Sequence, residues 1–97
     1  MSEQGFQSKV IKELRKREKF VLKTQAGRGV PIGTPDIITI DKDGLLVGLE
    51  MKDPDPKNKY RATPEQQYQG AKIRANGGRW YVVDSYERWV EVRDTII

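Results

Sequence analysis

The stretch that decides the fold is Gly33-Thr34-Pro35-Asp36-Ile37-Ile38-Thr39-Ile40-Asp41-Lys42-Asp43-Gly44-Leu45-Leu46-Val47-Gly48-Leu49-Glu50-Met51-Lys52. It reads as two apolar strands joined by a tight turn. Ile37 to Ile40 and Leu45 to Leu49 are rich in strand formers, and Asp41-Lys42-Asp43-Gly44 supplies turn chemistry ending in Asp-Gly. A hairpin symmetric about Asp43 pairs Ile40 with Leu46, Ile38 with Gly48 and Asp36 with Glu50. Alternation at period two then puts Asp36, Glu50 and Lys52 on one face, at the open end of the hairpin. The expectation hangs on register, because a slip of one residue would separate the two acids.

Facing carboxylates repel unless a cation sits between them, and hard oxygen ligands suit Mg²⁺ or Mn²⁺. Lys52, on the same face as Glu50, is placed to orient a water or to stabilise charge developing on a phosphate. Metal-assisted phosphodiester hydrolysis is the chemistry that uses all three groups. The competing reading is a solvated strand end with a surface ion pair, which is common and contributes little. A bare Glu-x-Lys recurs by accident; Pro35-Asp36 opposite it across a hairpin favours a site.

Gly33-Thr34-Pro35-Asp36 followed by Glu50-Met51-Lys52 resembles the signature of the PD-(D/E)XK nucleases. The continuation Thr63-Pro64-Glu65-Gln66, ending at Gly77-Gly78 before an aromatic-rich strand, is similar to the VRR-NUC branch, and the similarity runs over nearly the whole chain. The resemblance implies a Mg²⁺- or Mn²⁺-dependent endonuclease. Asp36 and Glu50 would be metal ligands, completed by the Met51 carbonyl. Lys52 would position or activate water, and Gln66 would be a polar site residue. Some short stand-alone members from phages and bacteria act as dimers on branched DNA such as four-way junctions, so the resemblance implies a homodimer and branched DNA as partners here. An acid from the first helix joins the family's site, which brings Glu3 and Gln7 into consideration, with Glu13 as a weaker alternative.

Composition narrows the chemistry independently. The 97 residues suffice for a single domain over 1–97 with one modest core. With neither cysteine nor histidine, thiolate and imidazole chemistry are excluded, and catalysis has only carboxylates, lysines and a metal-bound water to work with. The net charge of +4 is compatible with an anionic partner without requiring one. No apolar run is long enough to span a membrane and no signal peptide is visible, so a cytoplasmic location is expected, bacterial or in the host of a phage.

Along the rest of the chain, Gly5 to Lys19 reads as an amphipathic helix with Phe6, Val10, Ile11 and Leu14 on its apolar stripe. Glu3 and Gln7 project onto that stripe, either toward the metal end of the sheet or, for Glu3, as frayed chain beside the helix dipole. Phe20 to Thr24 reads as a short strand apolar enough to be central. In the glycine-bearing loop that follows, Arg28 is a candidate phosphate contact or a solvated arginine. Lys57, Lys59 and Arg61 form a basic loop directly after the proposed site, read as a DNA contact or as a solvated charge run.

Thr63 is expected as N-cap and Pro64 at the first position of a second helix. Gln66 stands three residues past Thr63, where it can close a capping box instead of serving the site. Gly70, facing the sheet with Gln66 and Ile73, implies close packing against a strand. Asn76-Gly77-Gly78 ends that helix, Arg79 to Asp84 gives the last strand, and Tyr86 to Ile97 a closing helix. Trp80, Trp89 and the tail Thr95-Ile96-Ile97 either complete the core or supply a contact between copies. Helix–strand–hairpin–helix–strand–helix implies an α/β domain of the restriction-endonuclease-like kind, with a mixed sheet of about four strands and flanking helices. Two other functions fit the same residues: a non-catalytic DNA-binding module, and a nuclease processing ends within a larger complex.

Overall fold

The computed structural model describes residues 2–25, 27, 29–55 and 61–97. Three helices, α1 (Glu3–Lys16), α2 (Pro64–Ala75) and α3 (Tyr86–Ile96), flank four strands, β1 (Val21–Lys23), β2 (Ile37–Ile40), β3 (Leu46–Met51) and β4 (Arg79–Val83). The strands form one sheet in the order β1-β2-β3-β4. The β1–β2 and β2–β3 pairs are antiparallel, and β4 runs parallel to β3. The fold is therefore the mixed α/β arrangement that the order of apolar segments implies.

The register of the central hairpin is the one that symmetry about Asp43 requires, with Ile40 beside Leu46 and Ile38 beside Gly48. Asp41 fixes it. One carboxylate oxygen accepts the Asp43 and Leu45 amides, each at 2.9 Å, and the other accepts Arg79 Nε at 2.7 Å. Burial works to raise the Asp41 pKa, but these donors outweigh it and hold the carboxyl below its ordinary value. Gly44 takes a φ of +81°, which the turn needs and a residue with a side chain resists.

The core lies on one face of the sheet. Ile37, Val47, Leu49, Met51 and Val83 pack there against Phe6, Val10, Ile11 and Leu14 of α1 and Trp89, Val92 and Ile96 of α3. On the other face α2 lies over β3 and β4. A side-chain carbon at Gly70 would run into the Trp80 ring, so the glycine is what brings this helix so close.

Two expectations need correction, and one open alternative resolves toward the core. The Phe20–Thr24 strand is an edge strand, not a central one, and Phe20 and Leu22 are 58% and 49% exposed. Apolar composition alone cannot distinguish burial on two faces from a face left uncovered. The first helix begins at Glu3, because the Ser2 side chain caps it by accepting the Gly5 amide, and it ends by Lys16. Trp89 and Ile96 are fully buried and Ile97 packs on the core. Trp80 lies beneath Gly70 and is 9% exposed. Apart from Thr95, which is exposed, those residues are taken up in the packing of a single copy.

Candidate active site

Asp36 precedes β2, and Glu50 and Lys52 lie at the end of β3, so the hairpin brings residues from both of its strands to one place. The Met51 amide donates to Asp36 Oδ2 at 2.8 Å, which fixes the carboxylate beside the β3 backbone. The Pro35-Asp36 corner is held from the other side by β1: Thr24 Oγ1 donates to the Pro35 carbonyl at 2.7 Å, and the Thr24 amide to the Asp36 carbonyl at 3.0 Å. Pro35 sits over Gly48, where a side-chain carbon would lie 2.7 Å from the proline Cγ. A larger residue at 48 would push the corner, and Asp36 with it, off the sheet.

Lys52 is 7% exposed and Glu50 1%. The lysine ammonium lies 3.8 Å from Glu50 Oε1 and donates to Gln66 Oε1 at 2.9 Å. The same Gln66 oxygen accepts the Thr63 amide at 2.8 Å, while the Gln66 amide donates to Thr63 Oγ1 at 3.2 Å. Two donors meet one atom, which assigns it as the amide oxygen. The two readings of Gln66 are therefore both realised, since it closes the capping box and holds the lysine.

Glu50 is the most perturbed group of the site. Burial, followed by the Asp36 carboxylate against it, raises its pKa from 4.5 to about 8, and Lys52 only partly offsets this. Its Oε2 is buried and receives no N–H or O–H donor among the described residues, while the Asp36 carboxyl lies within hydrogen-bonding reach of the Glu50 side chain. Such an oxygen is costly unless something cationic completes it. Glu3, in the first turn of α1, is drawn into the same field. Its pKa is raised by partial burial, then by Asp36, with Asp53 adding and Lys52 opposing. Asp53 stands just past the strand, where alternation in the sequence no longer assigns a face, so only the structure brings it into this field.

The remaining expected residues divide. Gln7 is buried on α1, one turn beyond Glu3. Glu13 is remote from the site's chemistry, receiving Arg93 Nη1 at 3.0 Å and Trp89 Nε1 at 3.2 Å. The Met51 side chain is in the core, which leaves only its backbone to serve the site. Arg61 is exposed, and Arg28, Lys57 and Lys59 lie outside the described residues.

The donor set fits a hard divalent cation. Two carboxylates converge, one with a buried oxygen that no donor among the described residues reaches, and Mg²⁺ keeps several waters in place of a full protein cage. Among the described residues no three acidic side chains gather closely enough to form such a cage. No family model and no curated protein matches this chain.

Proposed function

We propose that this protein is a Mg²⁺- or Mn²⁺-dependent DNA endonuclease with branched DNA, four-way junctions above all, as substrate, working as a homodimer. The observation that carries the reading is the buried Glu50 side chain, set against the Asp36 carboxyl with no donor reaching its Oε2 among the described residues. A purely structural carboxylate at this depth would be expected to have its lone pairs satisfied.

Asp36 and Glu50 would hold the ion, with the Met51 carbonyl beside them. When bound, the ion would lower the pKa of a water so that it can give up a proton and act as the nucleophile, and would supply positive charge for the phosphate oxygens. Lys52, its ammonium held by Gln66, would position that water and stabilise the charge gathering on the phosphate. The helix α2 N-terminus brings Gln66 to the lysine and so belongs to the same device. No separate recognition segment stands out among the described residues, and selectivity would rest on substrate shape and on the spacing of two sites.

A panel of matched linear, flapped and four-way DNA substrates, with Mg²⁺ or Mn²⁺ and with chelator, tests the reading. Symmetric metal-dependent cuts in the four-way substrate are expected. Cutting confined to ends or flaps would transfer the activity to end processing. Binding with no cleavage would identify a DNA-binding module.

A further inference from the structure

Asp36 stands one residue outside β2, and the β2–β3 ladder ends with Ile37 beside Leu49. The pairing that fixes the rest of the hairpin therefore does not hold the Asp36 backbone. Strand β1 does. Its register sets Lys23 beside Ile37, and the next residue, Thr24, meets the corner with two groups. The Thr24 amide donates to the Asp36 carbonyl at 3.0 Å. Thr24 Oγ1 donates to the Pro35 carbonyl at 2.7 Å and lies 3.2 Å from the Asp36 carbonyl. Pro35 is buried, and among the described residues its carbonyl receives no donor but that hydroxyl. Beside the corner lies a cavity of about 210 Å³ whose walls include Thr24, Val30, Pro31, Thr34 and Asp36. A corner released from β1 has room to move there, and the Asp36 side chain with it.

We propose that Thr24 is a positioning residue for the metal centre, its hydroxyl holding the Pro35-Asp36 corner so that Asp36 and Glu50 face one ion. The inference rests on the metal-binding part of the functional reading, and on neither the DNA substrate nor the pairing of copies. Asp36 is tied at two points: the Met51 amide fixes Oδ2 to β3, and Thr24 fixes the peptide to β1. Threonine suits the task. Its branched Cβ leaves χ1 few choices, which keeps the hydroxyl aimed at the corner, and it favours a strand. Burial does not reinforce the tether, because β1 is a three-residue edge strand with Leu22 49% exposed. The other end of β1 is held in the same way, by Thr39 Oγ1 donating to the Phe20 carbonyl at 2.7 Å. Two threonine hydroxyls thus tie β1 to β2, and only one of them acts at the Asp36 corner. Groups that orient a ligand without touching the metal commonly set its affinity by about 10–100-fold.

Mn²⁺ binding, read by electron paramagnetic resonance without DNA, tests this apart from any cleavage. Thr24→Val keeps the shape and strand preference of the side chain and removes only the hydroxyl. It is expected to weaken Mn²⁺ binding about tenfold or more, and Thr24→Ser, which keeps the hydroxyl, to bind much as the wild type does. Thr39→Val removes the matching hydrogen bond at the other end of β1 and should cost stability while Mn²⁺ affinity holds. A second measurement needs no variant. Mg²⁺ should slow hydrogen exchange of the Thr24 amide and leave that of Lys42, which donates to the Ile96 carbonyl at the turn end of the hairpin, unchanged. Wild-type Mn²⁺ affinity in Thr24→Val, an equal weakening in Thr39→Val, or a Thr24 amide indifferent to Mg²⁺ would overturn the proposal and leave the nuclease standing. A wild type that binds no Mn²⁺ would overturn both.

Discussion

Glu50 concentrates the physics of the site in one side chain. Its folded-state pKa of about 8 lies above the ordinary 4.5, so between those values only the folded protein holds the proton. Folding stability in the absence of metal should therefore be fully supported by Glu50 below pH 4.5 and decline as pH rises toward 8. Asp41 acts in the opposite sense: its depressed pKa contributes stability at neutral pH that is lost in acid. Thermal melts in chelator should accordingly peak at mildly acidic pH, and Glu50→Gln should remove the decline on the alkaline side. A melting temperature that rises steadily from pH 5 to 8 would contradict the buried-carboxylate picture. Added Mg²⁺ or Mn²⁺ should restore stability to the wild type at pH 8 and do little for Glu50→Gln. Lys52→Ala, by contrast, should abolish cleavage with the fold and DNA binding retained, because it removes charge from the chemistry and not from the basic surface.

Among the elements, α2 is where packing and chemistry share the same residues. Thr63→Ala should cost about 1 kcal/mol through loss of the cap. Gln66→Ala should cost a similar amount by opening the box and also reduce turnover steeply by releasing Lys52. Near-normal turnover in Gln66→Ala would leave the residue a cap and nothing more. Gly70→Ala sets two effects against each other. The alanine gains about 1 kcal/mol of helix propensity, but its methyl meets the Trp80 ring, and such overpacking costs about 1–3 kcal/mol. A net loss of stability in chemical denaturation is the expected outcome. Much of this element was legible beforehand, since Thr63, Pro64, Gln66 and Gly70 each carry a local rule that holds in any context. The hairpin register was legible because Asp-Gly fixes a turn and the turn fixes the pairing. What sequence could not supply was whatever depends on which faces are covered. The edge position of β1, the burial of Trp80 and Ile96 in a single copy, and the effect of Asp53 on Glu3 all follow from how helices distribute over the sheet.

At the scale of the whole molecule, a small sheet gathers Asp36, Glu50 and Lys52 at one end and leaves Phe20, Leu22, Ile40 and Leu46 exposed toward the other. The core is built by α1 and α3 on the far face, which leaves the site face free to carry charge. Within the described residues no helix is long and apolar enough to cross a membrane. Removing the charge of a ligand should disable cleavage without unfolding the domain, because Asp36→Asn and Glu50→Gln keep the volume of the buried side chains and an oxygen that can accept the Met51 amide. The most direct measurement is single-turnover cleavage of a labelled four-way junction by wild type, Asp36→Asn and Glu50→Gln, each with Mg²⁺, Mn²⁺ or chelator. Metal-dependent cutting by the wild type alone, with all three proteins folded and bound to the junction, is the predicted result. Undiminished cutting by Glu50→Gln, or cutting by the wild type in chelator, would contradict it.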